Sequence, residues 1–345
     1  MRQRALQALL LVHAIEQTDL AGDAVSLDDR VQASREAAAG RSLPAANAPV
    51  PINGDTERFL VRRADALLAG LRIRSPGVDR VLAVAGAASG LDRIILLLGF
   101  FLGLALTFVG GSRIDIFAYP LGGLLLWSLI VYLVLIARMF RSSSRRGPGD
   151  DGFFRRWLAG LYANRVRARI DALITHSIGF NAPLAPGLRR FAADWCEVAR
   201  PMFRERVRRL LHLAAILAAA GLMAGYDFRG WILRQMAGWS TTVFGPSSAH
   251  TALLALYGAA SAVSGVRVPS AQDLLALAWT SHTTGGGPAG QWLYLIDWTA
   301  LLYIVLPRLV AVILTTLTLW RRSLTLRTPA SFSGYLTAVL RSRET

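Results

Sequence analysis

The stretch from Arg93 to Arg138 constrains this chain more than any other. Between those arginines lie two apolar runs, Ile94 to Gly110 (IILLLGFFLGLALTFVG) and Ile116 to Ala137 (IFAYPLGGLLLWSLIVYLVLIA), separated only by Gly111, Ser112, Arg113, Ile114 and Asp115. About 20 residues of helix cross a bilayer core. A linker this short leaves antiparallel neighbours as the arrangement, so residues 93–138 read as a transmembrane hairpin with spans at about 94–110 and 116–137.

Composition agrees. Hydrophobic residues make up 53% of the 345, above the roughly 45 to 50% of ordinary soluble domains, which is counted with glycine included. The net charge of +16 is carried by arginine alone, because the chain has no lysine. A P-loop needs its lysine on the phosphates, a protein kinase its strand lysine, and pyridoxal chemistry a Schiff-base lysine; this chain acting alone can supply none of them. A single cysteine, Cys196, excludes an internal disulfide and any CxxC metal or redox site. Its neighbours Trp195 and Arg200 put it beside a basic helix, but a packed, inert thiol is the preferred reading.

In chain order, Arg2 and Arg4 followed by Ala5 to Ile15 have the charged and apolar regions of a signal peptide. Gln7 and His13 interrupt the run, however, and Glu16 and Asp19 follow it at once, so an amphipathic helix is the preferred reading. Glu16, Asp19, Asp23, Asp28, Asp29 and Glu36 then form an acidic segment, either a solvated helix face or a docking surface for a basic partner. Residues 40–54, with three prolines, read as a linker. Asp55 is placed to cap the next helix, which carries Phe59, Leu60, Ala64, Leu67, Leu68 and Leu71 on one face. Ser75 and Pro76 start another, which runs toward the first span. Residues 1–92 hold eleven arginines against eleven acids, a small helical cytosolic domain rather than a polycation.

Residues 139–209 form the basic region that follows the hairpin. From Arg138 to Arg209 there are sixteen arginines and six acids. Residues 141–152 (RSSSRRGPGDDG) read as a linker. A helix follows with Phe154, Trp157, Leu158, Leu161, Val166, Ile170, Leu173 and Ile174 at three-and-four spacing. Arg155, Arg156, Arg165, Arg167 and Arg169 surround that stripe. The helix either lies on an anionic leaflet, with its arginines on phosphates, or packs its stripe on the amino-terminal helices. Nucleic acid is the weaker partner for this charge, because threading beside membrane spans already explains it.

Arg204, Arg206, Arg208 and Arg209 lead into a third span, Leu210 to Tyr226. His212, one turn inside the interface, reads as a structural histidine, with proton relay as the sharper alternative. Residues 227–292 change character, being rich in Ser, Thr, Gly and Trp. Ala252 to Val263 is too short to cross upright. Ser270 to Asp273 fit a capping box for a short helix through Trp279, so this segment reads as a small helical external cap resting on the bilayer through Trp231, Trp239 and Trp279. Gly285, Gly287 and Gly290 match GxGxxG by letter but lack the strand, turn and helix that dinucleotide binding requires. His250 and His282 lack metal-ligand spacing, and His250, Ser240 and Asp273 would be a hydrolytic set only if folding made them one. No metal set, cofactor site or catalytic motif is legible.

The fourth span, 293–320, is interrupted. Pro307 and Arg308 fall near its middle, and Asp297 near the outer interface. An arginine at a helix centre costs roughly 2.5 to 3.5 kcal/mol on insertion scales, and proline frees a backbone carbonyl one turn earlier. Arg308 is therefore either a structural residue, bonded to opened carbonyls or to a carboxylate of another span, or a site for an anionic headgroup or substrate. Asp297, three turns away, is too distant to pair with it. Gly99 and Gly103, and Gly221 and Gly225, are small-xxx-small pairs that permit close helix packing without fixing a homo-oligomer. Residues 321–345 close the chain as a basic cytosolic tail. The alternation of arginine-rich and arginine-poor loops places both termini in the cytoplasm, and the class is all-α, a polytopic four-span protein of the bacterial inner membrane.

Four stretches, LVHAIEQTD, WCEVARPMFRERVRRLLHLAA, AGWSTTVFG followed by SSAHTALLAL, and YIVLPRLV, resemble in the same order the bacterial proteins grouped as domain-of-unknown-function 2868 (DUF2868). The resemblance implies an uncharacterised inner-membrane family whose genes often neighbour that of a predicted GTPase. Where many members have Trp-Glu-Ser-Thr, this chain has Trp239, Ser240, Thr241 and Thr242, so a role for that glutamate has no counterpart here. Two functions follow. One is a non-enzymatic membrane anchor or scaffold that recruits a soluble partner, a GTPase on the strength of the resemblance. The other is a small transporter, channel or lipid-binding protein centred on Arg308.

Overall fold

Helix-forming runs dominate the chain because leucine, alanine and arginine, all good helix formers, recur at three-and-four spacing. The computed structural model describes residues 3–40, 53–86, 90–108, 113–117, 119–140, 153–176, 182–240, 245–279, 285–324 and 332–344. The helices are α1 (Gln3–Thr18), α2 (Leu27–Ala38), α3 (Gly54–Arg74), α4 (Gly77–Gly86), α5 (Leu91–Leu106), α6 (Tyr119–Phe140), α7 (Phe153–His176), α8 (Ala185–Val198), α9 (Arg200–Asp227), α10 (Pro246–Ser264), α11 (Ala271–Leu277), α12 (Gly290–Ala300), α13 (Leu306–Leu324) and α14 (Phe332–Glu344). Strands β1 (Ile114–Asp115), β2 (Met236–Gly238) and β3 (Gly287–Pro288) correct the all-α expectation in one small respect. The chain divides into two units: Met1–Ser89 with Gly152–Val207 and Thr316–Thr345, and Gly90–Asp151 with Arg208–Thr315.

The first unit is built around α1. Its residues Leu6 to Ile15 are all buried, against α3 and α8 among others. The expected amphipathic face does not exist, because apolar side chains point in every direction around this helix and only Gln7 and His13 interrupt them. The cap of α3 is Asn53, two residues before the expected Asp55; its side chain accepts the N–H groups of Asp55 and Thr56, and Thr56 reciprocates. The α7 stripe enters the same core through Tyr162, Val166 and Ile170, spaced by four residues. Val166 and Ile170 belong to the expected stripe and pack inside the unit, whereas Trp157 and Leu161 of the same stripe are exposed. The carboxy-terminal tail is likewise a packed helix: Phe332, Leu336, Val339 and Leu340 of α14 are buried in this core, so "tail" is corrected to a docked element. Cys196 is buried, its thiol donating to the Ala163 carbonyl at 3.4 Å, and burial pushes its pKa up. The linkers expected within 40–54 and at 141–152 lie almost entirely outside the described residues.

The second unit holds most of the apolar helix. Three stretches are long and apolar enough to cross a membrane: Gly77–Leu106, described on either side of 87–89, Arg200–Ile232 and Gly290–Arg321; Tyr119–Val134 is a shorter apolar helix. Helix α5 ends at Leu106 and α6 begins at Tyr119, so the hairpin turn is longer than five residues. Pro120 suits the first turn of α6, while Ile114 and Ile116 are fully buried in the unit's core and serve the small sheet rather than a span. Strand β1 pairs parallel with β2, and β2 antiparallel with β3. The segment expected to be a helical cap therefore contains sheet as well as α10 and α11. Helix α10 turns Ala249, Leu253, Tyr257 and Ala260 inward, and the Tyr257 hydroxyl donates to the Ile116 carbonyl at 2.8 Å. Ser270 and Asp273 form the capping box of α11.

Candidate functional site

The interruption at Pro307 and Arg308 is met by one face of α6. Proline has no N–H, so the carbonyl four residues earlier, that of Tyr303, loses its helical donor. The residues just before the proline, Leu301–Val305, form a π turn closed from the Leu306 N–H to the Leu301 carbonyl. The hydroxyl of Tyr132 donates to the Tyr303 carbonyl at 2.9 Å. One turn back on α6, Ser128 accepts from Arg308 Nη2 at 3.2 Å. The Arg308 guanidinium also lies 6.0 Å from the centre of the Tyr132 ring, within cation–π range. Arg308 is 3% exposed and Ser128 1%.

This arrangement replaces both structural alternatives anticipated for Arg308. The opened carbonyl is satisfied by Tyr132, not by the arginine, and among the described residues no carboxylate pairs with it. A hydroxyl and a ring face hold the charge, and Nε has no hydrogen-bond partner among the described residues. Asp297 lies on α12, half-buried, near Asp227 of α9 rather than Arg308. His212 is buried on α9.

The four glycines singled out from the sequence meet one another's helices. A Cβ at Gly99 would stand 2.5 Å from the Ala214 carbonyl oxygen, and one at Gly103 would fall on that of Ala218. Reciprocally, Gly221 faces the Phe100 backbone and Gly225 faces Thr107. Both pairs are thus occupied within the chain by the α5–α9 contact, where backbones approach too closely for any side chain.

Sequence reasoning missed a second arginine of this unit. Arg229, 3% exposed, donates to the carbonyls of Thr107 and Arg113 and, at 2.8 Å, to Gln235 Oε1. It pins the turn after α5 to the end of α9. Trp239, expected at a membrane surface, is buried, its Nε1 donating to the Leu274 carbonyl at 2.8 Å; Trp231 is exposed, and Trp279 lies under the Arg113 guanidinium. The glycine run packs backbone on backbone, Gly285 against Ala278. His250 is engaged with the Pro269 carbonyl at 2.8 Å and Asp273 with Ser270; His282 lies outside the described residues.

In the first unit three members of the acidic segment, Glu16, Asp19 and Asp29, are paired within the unit, while Asp23, Asp28 and Glu36 are exposed. Glu16 receives Arg63 Nη1 and Nη2 at 3.0 and 2.6 Å, and the Tyr335 hydroxyl from α14 donates to it as well. Arg63 Nε donates to Ser34 Oγ at 2.8 Å, so one buried guanidinium joins α1, α2, α3 and α14. Asp19 pairs with Arg30 at 2.7 Å and accepts the N–H groups of Ala24 and Val25. Burial alone would raise its pKa, but those N–H groups and Arg30 outweigh it and hold the carboxyl below its ordinary value. Asp29 pairs with Arg74 at 2.9 Å. The only signal of this network was the cluster of acids itself. His13 is 7% exposed, its ring tilted 38° against that of Phe332 with centroids 4.4 Å apart. Burial holds its imidazole below the ordinary value against the pull of Asp194 and Glu16. A cavity of ≈ 280 Å³ opens beside it, lined in part by Gln17, Arg190, Asp194 and Glu197.

On α7, Arg156, Arg165, Arg167 and Arg169 are exposed; the side chain of Arg155 lies outside the described set. No protein-family model, curated protein or solved structure matches the chain.

Proposed function

We propose that this chain is a four-span protein of the bacterial inner membrane whose first unit stands in the cytoplasm as a docking platform for a soluble partner. The observation that carries the reading is that one hydrophobic core draws on residues 1–89, 152–207 and 316–345. A single core cannot have a bilayer running through it, so each intervening stretch, 90–151 and 208–315, crosses an even number of times. With α5 as one crossing, α6 is its return, although only Tyr119–Val134 counts as an apolar stretch. Helix α9 and the α12–α13 pair supply the other two. Arginine placement orients the whole, with the basic segment and both termini inside.

About half of the chain lies in that cytoplasmic unit, more than anchoring requires, and its exposed α7 arginines suit an acidic partner or the anionic leaflet. The resemblance to the domain-of-unknown-function 2868 proteins makes a GTPase the partner to expect, with this chain as a non-enzymatic scaffold. Affinity purification of the tagged protein from its native membrane in mild detergent, followed by mass spectrometry, tests this. A soluble nucleotide hydrolase should dominate the eluate, and a preparation holding nothing but lipid counts against it.

One observation favours a second reading, in which Arg308 serves a transported or bound anion: its Nε is buried without a partner among the described residues. Arg308→Leu should then abolish function while leaving the amount of protein in the membrane unchanged. Loss of the protein itself would return Arg308 to a structural role.

A further inference from the structure

Within the first unit, the start of α1, the middle and end of α3, and α4 enclose a groove of ≈ 960 Å³. Its polar lining includes Gln3, Arg4, Gln7, Asp65, Arg72 and Asp79. The first turn of a helix presents N–H groups that have no partner within the helix, and its dipole favours an anion. Gln3, Arg4 and Ala5 bring that turn of α1 to the groove.

A second feature points to a ligand independently. Gln7 is 3% exposed, yet its carboxamide nitrogen has no hydrogen-bond partner among the described residues. A buried donor left in this state is uncommon in native folds and marks a place where something else accepts. The Gln3 and Gln7 nitrogens converge: a Cβ on Gly86 would stand 3.6 Å from one and 3.7 Å from the other. That position is glycine, and the space stays open. Two carboxamide donors, Arg4 and a helix amino terminus therefore collect at one end.

The opposite charge is present as well. Arg72 pairs with Asp79 at 2.8 Å and its charge also reaches Asp65, but Asp65 is a groove carboxylate with no ion pair of its own among the described residues. A ligand matching this lining carries both an anion with several acceptor oxygens and a cation. The position along α13 indicates where such a ligand is abundant. Ser323 lines the groove and sits on α13 two residues past Arg321, where the apolar stretch ends, about 3 Å further along the helix axis at 1.5 Å per residue. On the membrane placement proposed above, on which this step rests, lipid headgroups occupy that level of the bilayer.

We infer that this groove binds an aminoalkyl phosphate, its phosphate on the α1 amino terminus with Gln3, Gln7 and Arg4, and its ammonium on Asp65. The group is either the headgroup of a zwitterionic phospholipid or the free phosphate ester.

The test uses the full chain in detergent and reads binding by titration calorimetry with three probes: dihexanoyl phosphatidylethanolamine below its micellar concentration, O-phosphoethanolamine, and dihexanoyl phosphatidylglycerol. The ethanolamine lipid, the free ester, or both should bind the wild type. Binding of the lipid alone identifies a headgroup site, and binding of the free ester identifies a soluble ligand. Asp65→Asn, at an exposed position that leaves the core untouched, should weaken binding about tenfold, as should Arg4→Ala, each removing a charge-assisted bond. Gln7→Leu should do the same where it folds. The inference is overturned if no ethanolamine probe binds, if the glycerol lipid binds as tightly as the ethanolamine lipid, or if Asp65→Asn and Arg4→Ala leave affinity unchanged.

Discussion

Replacing Arg63 with leucine strands the Glu16 carboxylate inside the first unit. The side chains of Arg63 and Glu16 are 3% and 8% exposed, so water does not reach the exposed charge in the folded state. Glu16 loses two hydrogen bonds, of 3.0 and 2.6 Å, and keeps the Tyr335 hydroxyl and Arg30 at 4.0 Å. Breaking a buried pair by removing one partner costs about 3–5 kcal/mol. The partners that remain put Arg63→Leu near the lower end, about 3 kcal/mol, which is more than a hundredfold in the opening equilibrium at 1.4 kcal/mol per decade. Glu16→Leu leaves Arg63 with Ser34 and Tyr335 and should cost about as much. The double variant buries no unpaired charge, so its loss should fall well short of the sum, with a coupling of about 2 kcal/mol. Pulse proteolysis across a urea series, on the full chain in detergent, measures each opening equilibrium. Single variants within about 0.5 kcal/mol of wild type, or a double variant equal to the sum, would refute the claim that this pair locks α14 and α3 to α1.

Three further outcomes are expected. Gly103→Leu should force α5 and α9 apart, an overpacking loss of about 1–3 kcal/mol or more seen as lower yield and melting temperature, while Gly122→Leu, whose Cβ would meet nothing within 4 Å, should be silent. Tyr132→Phe should lower thermal stability by about 1–2 kcal/mol by leaving the Tyr303 carbonyl without its donor; Pro307→Ala should restore part of it, because the returning N–H bonds that carbonyl again. His13 is held below its ordinary value by burial, so the unfolded chain takes up its proton first: this contribution to stability is complete above about pH 6.5 and is lost as pH falls from there through the folded value. The drop in melting temperature over that window should be smaller in His13→Gln, and an unchanged drop would remove His13 from the argument.

What the sequence discloses here follows from how local each signal is. Three apolar stretches are long enough to cross a membrane, and glycines at four-residue spacing within two of them lie at the α5–α9 contact. The Ser270–Asp273 cap is a four-residue signal and is legible for the same reason. The buried network is not, since Arg63 meets a glutamate 47 positions away and a tyrosine 272 positions away, and nothing local distinguishes Glu16 from the surface acids that follow it. The α14 helix is missed because arginines dominate the reading of a segment whose Phe332, Leu336 and Leu340 carry the packing. At Pro307 the need for a donor is readable, but the donor itself, Tyr132, belongs to a helix 171 residues away.

The measurement that bears most directly on the platform proposal is in-cell photocrosslinking with benzoylphenylalanine in place of Trp157, which is 51% exposed on α7, and of Trp231, which is 54% exposed in the second unit. Crosslinks from position 157 to a soluble cytosolic nucleotide hydrolase, with none from position 231, are the expected result. Crosslinks to periplasmic proteins from position 157 would contradict the side on which the first unit stands, and crosslinks to lipid alone would contradict the docking role proposed for it.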